Sequence, residues 1–191
     1  MSEKDRLKWD ARYGTSGYIY GSDPAPFIVE QRAGLPEGGR ALDVAAGEGQ
    51  NAVYLAGEGF SVEALDISAV GLRKARALAE EKNVVIQPRL WDLERSFVPE
   101  GPYDVIICMH YKQQTLAEPI ADALAPGGVV LIELATVNNL ELHKHPSRPY
   151  CVESNELMGW FPTLQLRSYR EGIFNNQAVA RVVAQKPAAK E

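Results

Sequence analysis

The chain has 191 residues, 46% apolar and 24% charged, a size and composition that suit one globular core and exclude a disordered or fibrous chain. Its 20 Lys and Arg stand against 25 Asp and Glu, for a formal net charge of −5; without a basic face to displace counterions, a nucleic-acid partner is not expected. No stretch approaches the roughly 18 apolar residues of a membrane span, and two cysteines, Cys108 and Cys151, make a poor disulfide framework, so the expectation is a single cytoplasmic domain with no membrane partner.

Residues 1–39 carry Trp9, Tyr13, Tyr18, Tyr20 and Phe27. So many aromatics outside a sheet predict an N-terminal helical cap over the carboxyl ends of the strands. Residues 40–185 form the predicted core. Arg40–Ala45 reads as a strand running into glycines, and Asn51–Glu58 as a helix. Ser61–Leu65 is a second strand. Asp66 and Ser68 are good N-caps for a helix over Ala69–Lys82. Val84–Leu90 reads as a third strand, interrupted by Pro88. Tyr103–Cys108, with sequence YDVIIC, is a buried strand. Leu116–Leu124 is a helix that tolerates Pro119 in its first turn and is stopped by Pro126-Gly127-Gly128. Val129–Leu134 is another buried strand.

This alternation requires a parallel sheet covered by helices on both faces. The end of the chain breaks the pattern. Glu153–Phe161 reads as helical, and Leu164–Arg170 and Gln177–Gln185 read as strands. The turn Phe174-Asn175-Asn176 between those strands is too short for a parallel crossover. The predicted fold is therefore α/β: a doubly wound, mostly parallel seven-stranded sheet ending in an antiparallel hairpin, with an N-terminal helical cap. Residues 186–191 read as a frayed tail.

The first strand leads into Asp43-Val44-Ala45-Ala46-Gly47-Glu48-Gly49-Gln50-Asn51. In an open α/β sheet ligands bind outside the carboxyl ends of the strands. Glycines there allow close backbone approach, and the following helix aims free N–H groups at the same space. The loop alone also satisfies the dinucleotide pattern G-x-G-x-x-G/A, or it is a tight turn with no ligand. Three carboxylates sharpen the signal: Asp43, Asp66 and Asp92 follow successive strands at one edge of the sheet. A carboxylate there can accept from vicinal ribose hydroxyls, from the exocyclic amine of adenine or from an ammonium group. Taken singly, Asp66 is also a helix cap and Asp92 a turn residue.

In order, LDVAAGEGQNAVYLA, EALDIS, LWDLE, YDVIICMHY and LAPGGVVLIE resemble the class I S-adenosylmethionine-dependent methyltransferases. The similarity is greatest to the small tellurite-resistance and thiopurine-methyltransferase-like group. The opening W-D-x-R-Y…Y-x-Y-G-x-x-P, Trp9 to Pro24, resembles that group's cap. The resemblance spans about Trp9 to Ala184. It implies a Rossmann-like methyltransferase fold and S-adenosylmethionine as cofactor. It places Gly47 and Gly49 beneath the methionine part, with Asp43 near the ammonium and Ala45 and Asn51 in the same loop. Asp66 would hold the ribose hydroxyls, Ile67 would lie against adenine, and Asp92 and Leu93 would meet the adenine edge. Met109, His110 and Tyr111 would border the methyl group, while Trp9, Tyr13, Tyr20 and Gly21 would close over the cofactor. Ala45 departs from the pattern, which begins its loop with glycine.

Methyl transfer from a sulfonium is an in-line displacement, so the protein supplies position and a dry site; a base is needed only where the acceptor must lose a proton. His110 is the candidate base or pocket wall, beside Tyr111. The locally cationic loop His143–Tyr150 predicts a small anionic or soft acceptor of thiol, selenol or metalloid oxyanion type, with Arg148 as an oxyanion fork. His143, His145 and Cys151 are too few and too poorly spaced to predict a metal site. Two other readings remain at this point: an NAD(P)-dependent oxidoreductase, and a non-catalytic cofactor-binding module. Neither the acceptor nor the oligomeric state is fixed by these residues.

Overall fold

The computed structural model describes residues 3–94 and 101–189. Seven strands form one sheet: β1 (Gly39–Val44), β2 (Phe60–Asp66), β3 (Ile86–Leu90), β4 (Tyr103–Met109), β5 (Leu124–Ala135), β6 (Gln165–Phe174) and β7 (Gln177–Gln185), in the order β3-β2-β1-β4-β5-β7-β6. β1 to β5 are parallel, and β7 is antiparallel to both β5 and β6. Order reverses between β1 and β4, the switch point at which open α/β sheets bind ligands. The inserted antiparallel β7 distinguishes this sheet from the dinucleotide-binding order 3-2-1-4-5-6.

The strands are apolar on both sides because both are covered. On one face Ala41, Val62, Ala64, Val105, Ile107 and Leu131 pack against α2 (Pro26–Gln31), α3 (Gln50–Gly57) and α4 (Ala69–Glu81). On the other, Leu42, Ile106, Val130 and Val182 pack with α5 (Ala117–Ala123), Leu157, Trp160 and Phe161. The cap begins with α1 (Glu3–Tyr13), which lies on α4. Among the described residues no helix is long and apolar enough to cross a membrane, and no group of three His, Cys, Asp or Glu could hold a metal ion.

Three predicted elements need correction. Residues 153–161 are not an α-helix but turns with one 3-10 turn, Leu157–Gly159. Leu157, Trp160 and Phe161 are spaced as on a helix, but Glu171 takes the Ser154 hydroxyl (2.8 Å) and the Asn155 N–H (2.9 Å), so side-chain bonds outcompete the helix. β3 starts at Ile86, because the Val84 N–H still bonds Ala79 O at the end of α4. Pro88 is tolerated because β3 is an edge strand. Finally, α5 ends at Ala123, and residues 126–128 lie inside β5 rather than beyond a helix stop. There Gly128 packs on Tyr103 O, which an added Cβ would meet at 2.7 Å.

A cleft of about 430 Å3 opens near the carboxyl end of β5, lined in part by Thr136, Leu142, Glu171 and Ile173. It belongs to the β5-β7-β6 side of the sheet, away from the glycine loop after β1.

Candidate active site

β1 ends at Val44 and the chain turns sharply. Ala45 has φ +61° and Gly47 φ +57°, both left-handed. Ala45 takes this conformation at a cost of about 1–2 kcal/mol that glycine would not carry. Gly49 (φ +82°) is the N-cap of α3 and approaches α4 so closely that a Cβ would lie 2.3 Å from that of Ala75. Loop and helix starts are thereby drawn together at the switch point.

Asp66, at the end of β2, fixes the loop. One carboxylate oxygen accepts the Gly47 N–H and the other the Ser68 N–H, both at 2.8 Å. The side chain is buried. Burial raises its pKa, offset in part by bonds from the Ser68, Gly47 and Ile67 N–H groups. A carboxylate offers about four acceptor positions, so acceptor capacity remains for a ribose hydroxyl beside these three bonds. The expected ribose role is compatible with this second task of bracing the loop.

Asp43 lies beneath the loop, fully buried. It accepts the Ala52 N–H, and burial, with Asp66 adding repulsion, pushes its pKa up to about 8. Among the described residues its Oδ2 has no hydrogen-bond partner, nor has the buried Oε1 of Gln50 at the start of α3. Two orphaned acceptors therefore flank the glycine loop in sequence, one before it and one after. A ligand ammonium brings three N–H donors to such a place, and only a donor group relieves the cost of burying these atoms. The residues present thus fit the methionine end of S-adenosylmethionine.

The cap lies over this loop. Tyr13 is buried with its hydroxyl against Gly47, where a Cβ would be only 2.8 Å away. Trp9 stacks on Tyr13 at 5.4 Å. The Arg12 guanidinium lies within 5.7 Å of the Trp9 ring and 5.5 Å of the Tyr20 ring. Gly21 follows in a turn with φ +78°. Asp10 receives the Ser68 hydroxyl (2.6 Å) and the Val70 N–H (3.2 Å), tying α1 to the start of α4.

Two residues of this arrangement escaped the sequence reading. Glu48, between the two loop glycines, is buried; it accepts the Ile19 N–H and the Lys74 ammonium, each at 2.8 Å. Lys74 also donates to the carbonyls of Thr15 and Gly17. The strap 15–19 is therefore anchored on the glycine loop itself. A glutamate confined between two glycines was the available signal. Asn51, expected at the cofactor, uses its Oδ1 to accept the Ala25 N–H at 2.9 Å, a further tie between loop and cap.

Of the residues expected at adenine, Ile67 and Leu93 are buried, and Asp92 Oδ1 accepts the Glu94 N–H at 3.0 Å. After β4, Met109 is buried while His110 is half-exposed, in a left-handed turn at φ +61°. Tyr111 donates its hydroxyl to Gln113 Oε1 at 2.5 Å. The Lys112 ammonium donates to Cys151 O at 2.7 Å and pairs with Glu156 at 3.2 Å, drawing the chain around 151–156 beside the turn after β4. Arg148 precedes that segment, exposed and paired with Glu153 at 2.6 Å. His143 contacts Asn176 O at 2.6 Å, at the turn between β6 and β7.

Comparison with known proteins agrees with this geometry. Residues 41–128 match the model of a methyltransferase domain. The chain is 33% identical over 109 residues to a ubiquinone biosynthesis O-methyltransferase of a Caulobacter species, covering 53% of this chain and 42% of that protein. It thus spans about half the length of such curated relatives, or less. A solved structure from work on the conversion of a disulfide bond into a thioacetal group during echinomycin biosynthesis superposes with TM-score 0.74 at 20% identity, over 97% of this chain and 93% of the other. TehB from Haemophilus influenzae superposes with TM-score 0.70 at 18% identity, over 95% and 66%. Residues 41–128, just under half of the chain, are thus similar to a methyltransferase domain, and the chain shares its fold with a solved S-adenosylmethionine-dependent methyltransferase from Clostridium acetobutylicum, at TM-score 0.68 and 12% identity over 97% of this chain and 98% of the other.

Proposed function

We propose that the protein transfers a methyl group from S-adenosylmethionine to a small, soft or anionic acceptor of thiol, selenol or metalloid oxyanion type. The observation that carries the cofactor half is the pair of orphaned buried acceptors, Asp43 Oδ2 and Gln50 Oε1, on either side of the glycine loop. The cofactor supplies an electrophilic methyl group on a sulfonium sulfur. The chain's own residues position and enclose. Asp66 holds the loop and offers acceptors to the ribose. Tyr13 and Trp9 exclude water from above. Ile67, Leu93 and Asp92 form the adenine side. Met109, His110 and Tyr111 line the approach to the methyl group.

Support for the acceptor half comes from charge and from likeness. Arg148 stands 64% exposed in its ion pair with Glu153. Such a pair contributes no more than about 1 kcal/mol, so an incoming anion can take the place of Glu153. One structural neighbour comes from work on sulfur chemistry. The net charge of −5 favours a small molecule over a nucleic acid. The two free, buried cysteines suit a reducing cytoplasm.

A screen of thiols, selenols and metalloid oxyanions for S-adenosylhomocysteine production tests this reading. For an anionic acceptor, Arg148→Ala is expected to raise KM about tenfold, the loss of one exposed charge-assisted contact. Turnover confined to acceptors outside these classes, or unchanged kinetics in Arg148→Ala, contradicts it.

A further inference from the structure

A line of charged side chains crosses the sheet behind His110. Glu133 of β5 and Arg181 of β7 sit opposite each other in register, each almost the only charge in an apolar strand, and both are buried. The Arg181 Nε donates to Glu133 Oε2 at 2.5 Å. Its NH1 reaches Glu30 of α2 at 3.3 Å, and Arg170 of β6 lies 3.8 Å from the same Glu30 oxygen. Phe27 and Phe174 flank the Arg181 guanidinium at 5.0 and 4.1 Å. The other oxygen of Glu133, Oε1, lies 3.4 Å from His110 Nε2. The His110 backbone N–H bonds Glu133 O at 2.8 Å, so the residue that faces the ring also holds the backbone.

Two buried charges in a sheet core are costly, and packing alone is better served by apolar residues. Their arrangement has the form of a base held by a carboxylate: the carboxylate fixes which ring nitrogen carries the proton and so which one is free. We propose that Glu133, clamped by Arg181, is a positioning residue that holds the Nε2–H tautomer of His110, leaving Nδ1 to take the proton of an acceptor that enters as a neutral S–H or Se–H. This rests on the methyltransferase reading above and narrows its acceptor to the proton-bearing members. In the step, the acceptor lone pair forms the new bond to the methyl carbon. The methyl–sulfonium bond breaks with its pair returned to sulfur, giving a neutral thioether. The acceptor proton passes to Nδ1.

The electrostatics agree. Desolvation against the strand ends, with Arg181 adding repulsion, lowers the His110 pKa despite the attraction of Glu133. The imidazole is then neutral, and ready to accept a proton, at neutral pH.

Two measurements test the proposal. Imidazole 15N NMR of the full chain is expected to show His110 as the Nε2–H tautomer; the Nδ1–H tautomer overturns the proposal, and needs no variant to do so. In Glu133→Gln the tautomer preference is expected to weaken and the His110 titration to move to lower pH, since an attraction is lost; no change in either overturns it. The second measurement uses 2-mercaptoethanol, mostly protonated at neutral pH, and 5-thio-2-nitrobenzoate, already a thiolate. His110→Asn keeps a residue that tolerates the left-handed turn. It is expected to lose about 100-fold in kcat on the first thiol with KM little changed, and to lose little on the second. Equal losses on both overturn the base role. Failure of the wild-type protein to methylate either thiol sinks the acceptor reading and the proton transfer with it, whereas the NMR result still separates whether Glu133 positions His110.

Discussion

Asp66→Ala is expected to abolish measurable cofactor binding and to lower the stability of the apo protein together. The carboxylate bridges the Gly47 and Ser68 N–H groups inside the switch point. Its loss leaves buried donors unpaired, at about 1–3 kcal/mol each. It also frees the loop that must meet the ligand, and removes the acceptors proposed for the ribose. An affinity loss beyond about 100-fold follows from two lost hydrogen bonds to a charged group. Thermal unfolding with and without S-adenosylhomocysteine checks both halves. The wild-type protein should show a ligand-induced rise in Tm, and the variant should unfold earlier and show none. A variant that unfolds earlier yet keeps the full ligand-induced shift would reduce Asp66 to a structural brace.

Asp43→Asn is expected to move stability and affinity in opposite directions. In the folded protein the Asp43 carboxyl titrates near 8, well above its ordinary value near 4, because it is buried with an unpartnered oxygen. A folded-state pKa above the unfolded one gives a stabilising contribution that is complete below about pH 4 and is lost as the pH rises toward 8. The amide removes that loss, so the variant should be more stable at pH 8 by about 1–3 kcal/mol and should show a flatter stability profile from pH 4 to 8. Binding of a ligand ammonium favours the ionised carboxylate. Wild-type affinity for S-adenosylmethionine should therefore rise between pH 6 and 8, while Asp43→Asn binds at least tenfold more weakly with little pH dependence. Chemical denaturation and titration at three pH values read both. Equal affinity in the two proteins at pH 8 would remove Asp43 from the ammonium site.

The sheet was legible because its strands are apolar runs separated by helical periods. That pattern located all seven strands, with β5 read five residues short at its start, and identified the antiparallel ending from one short turn, Phe174-Asn175-Asn176. Residues 153–161 misled because apolar spacing reports which side chains are buried, not which partner the backbone takes. Glu171, a distant residue, decides that segment. The glycine loop and its carboxylates were likewise visible as a spacing. What spacing does not carry is which contacts are made in space. Glu48, to which spacing assigns no role, anchors the strap 15–19. Asn51, expected at the cofactor, also accepts the Ala25 N–H, a contact that spacing does not show. Glu133 and Arg181 each stood alone in an apolar strand, a signal that gains meaning only when register sets them opposite one another.

Whether the loop between β1 and α3 takes S-adenosylmethionine is read by calorimetric titration of the wild-type chain with S-adenosylmethionine, S-adenosylhomocysteine, NAD and NADP. Saturable one-to-one binding of the first two, at micromolar affinity or better, is expected, and none of the nicotinamide cofactors. Binding of NAD or NADP by well-folded protein, with no heat from either sulfur compound, would contradict that expectation.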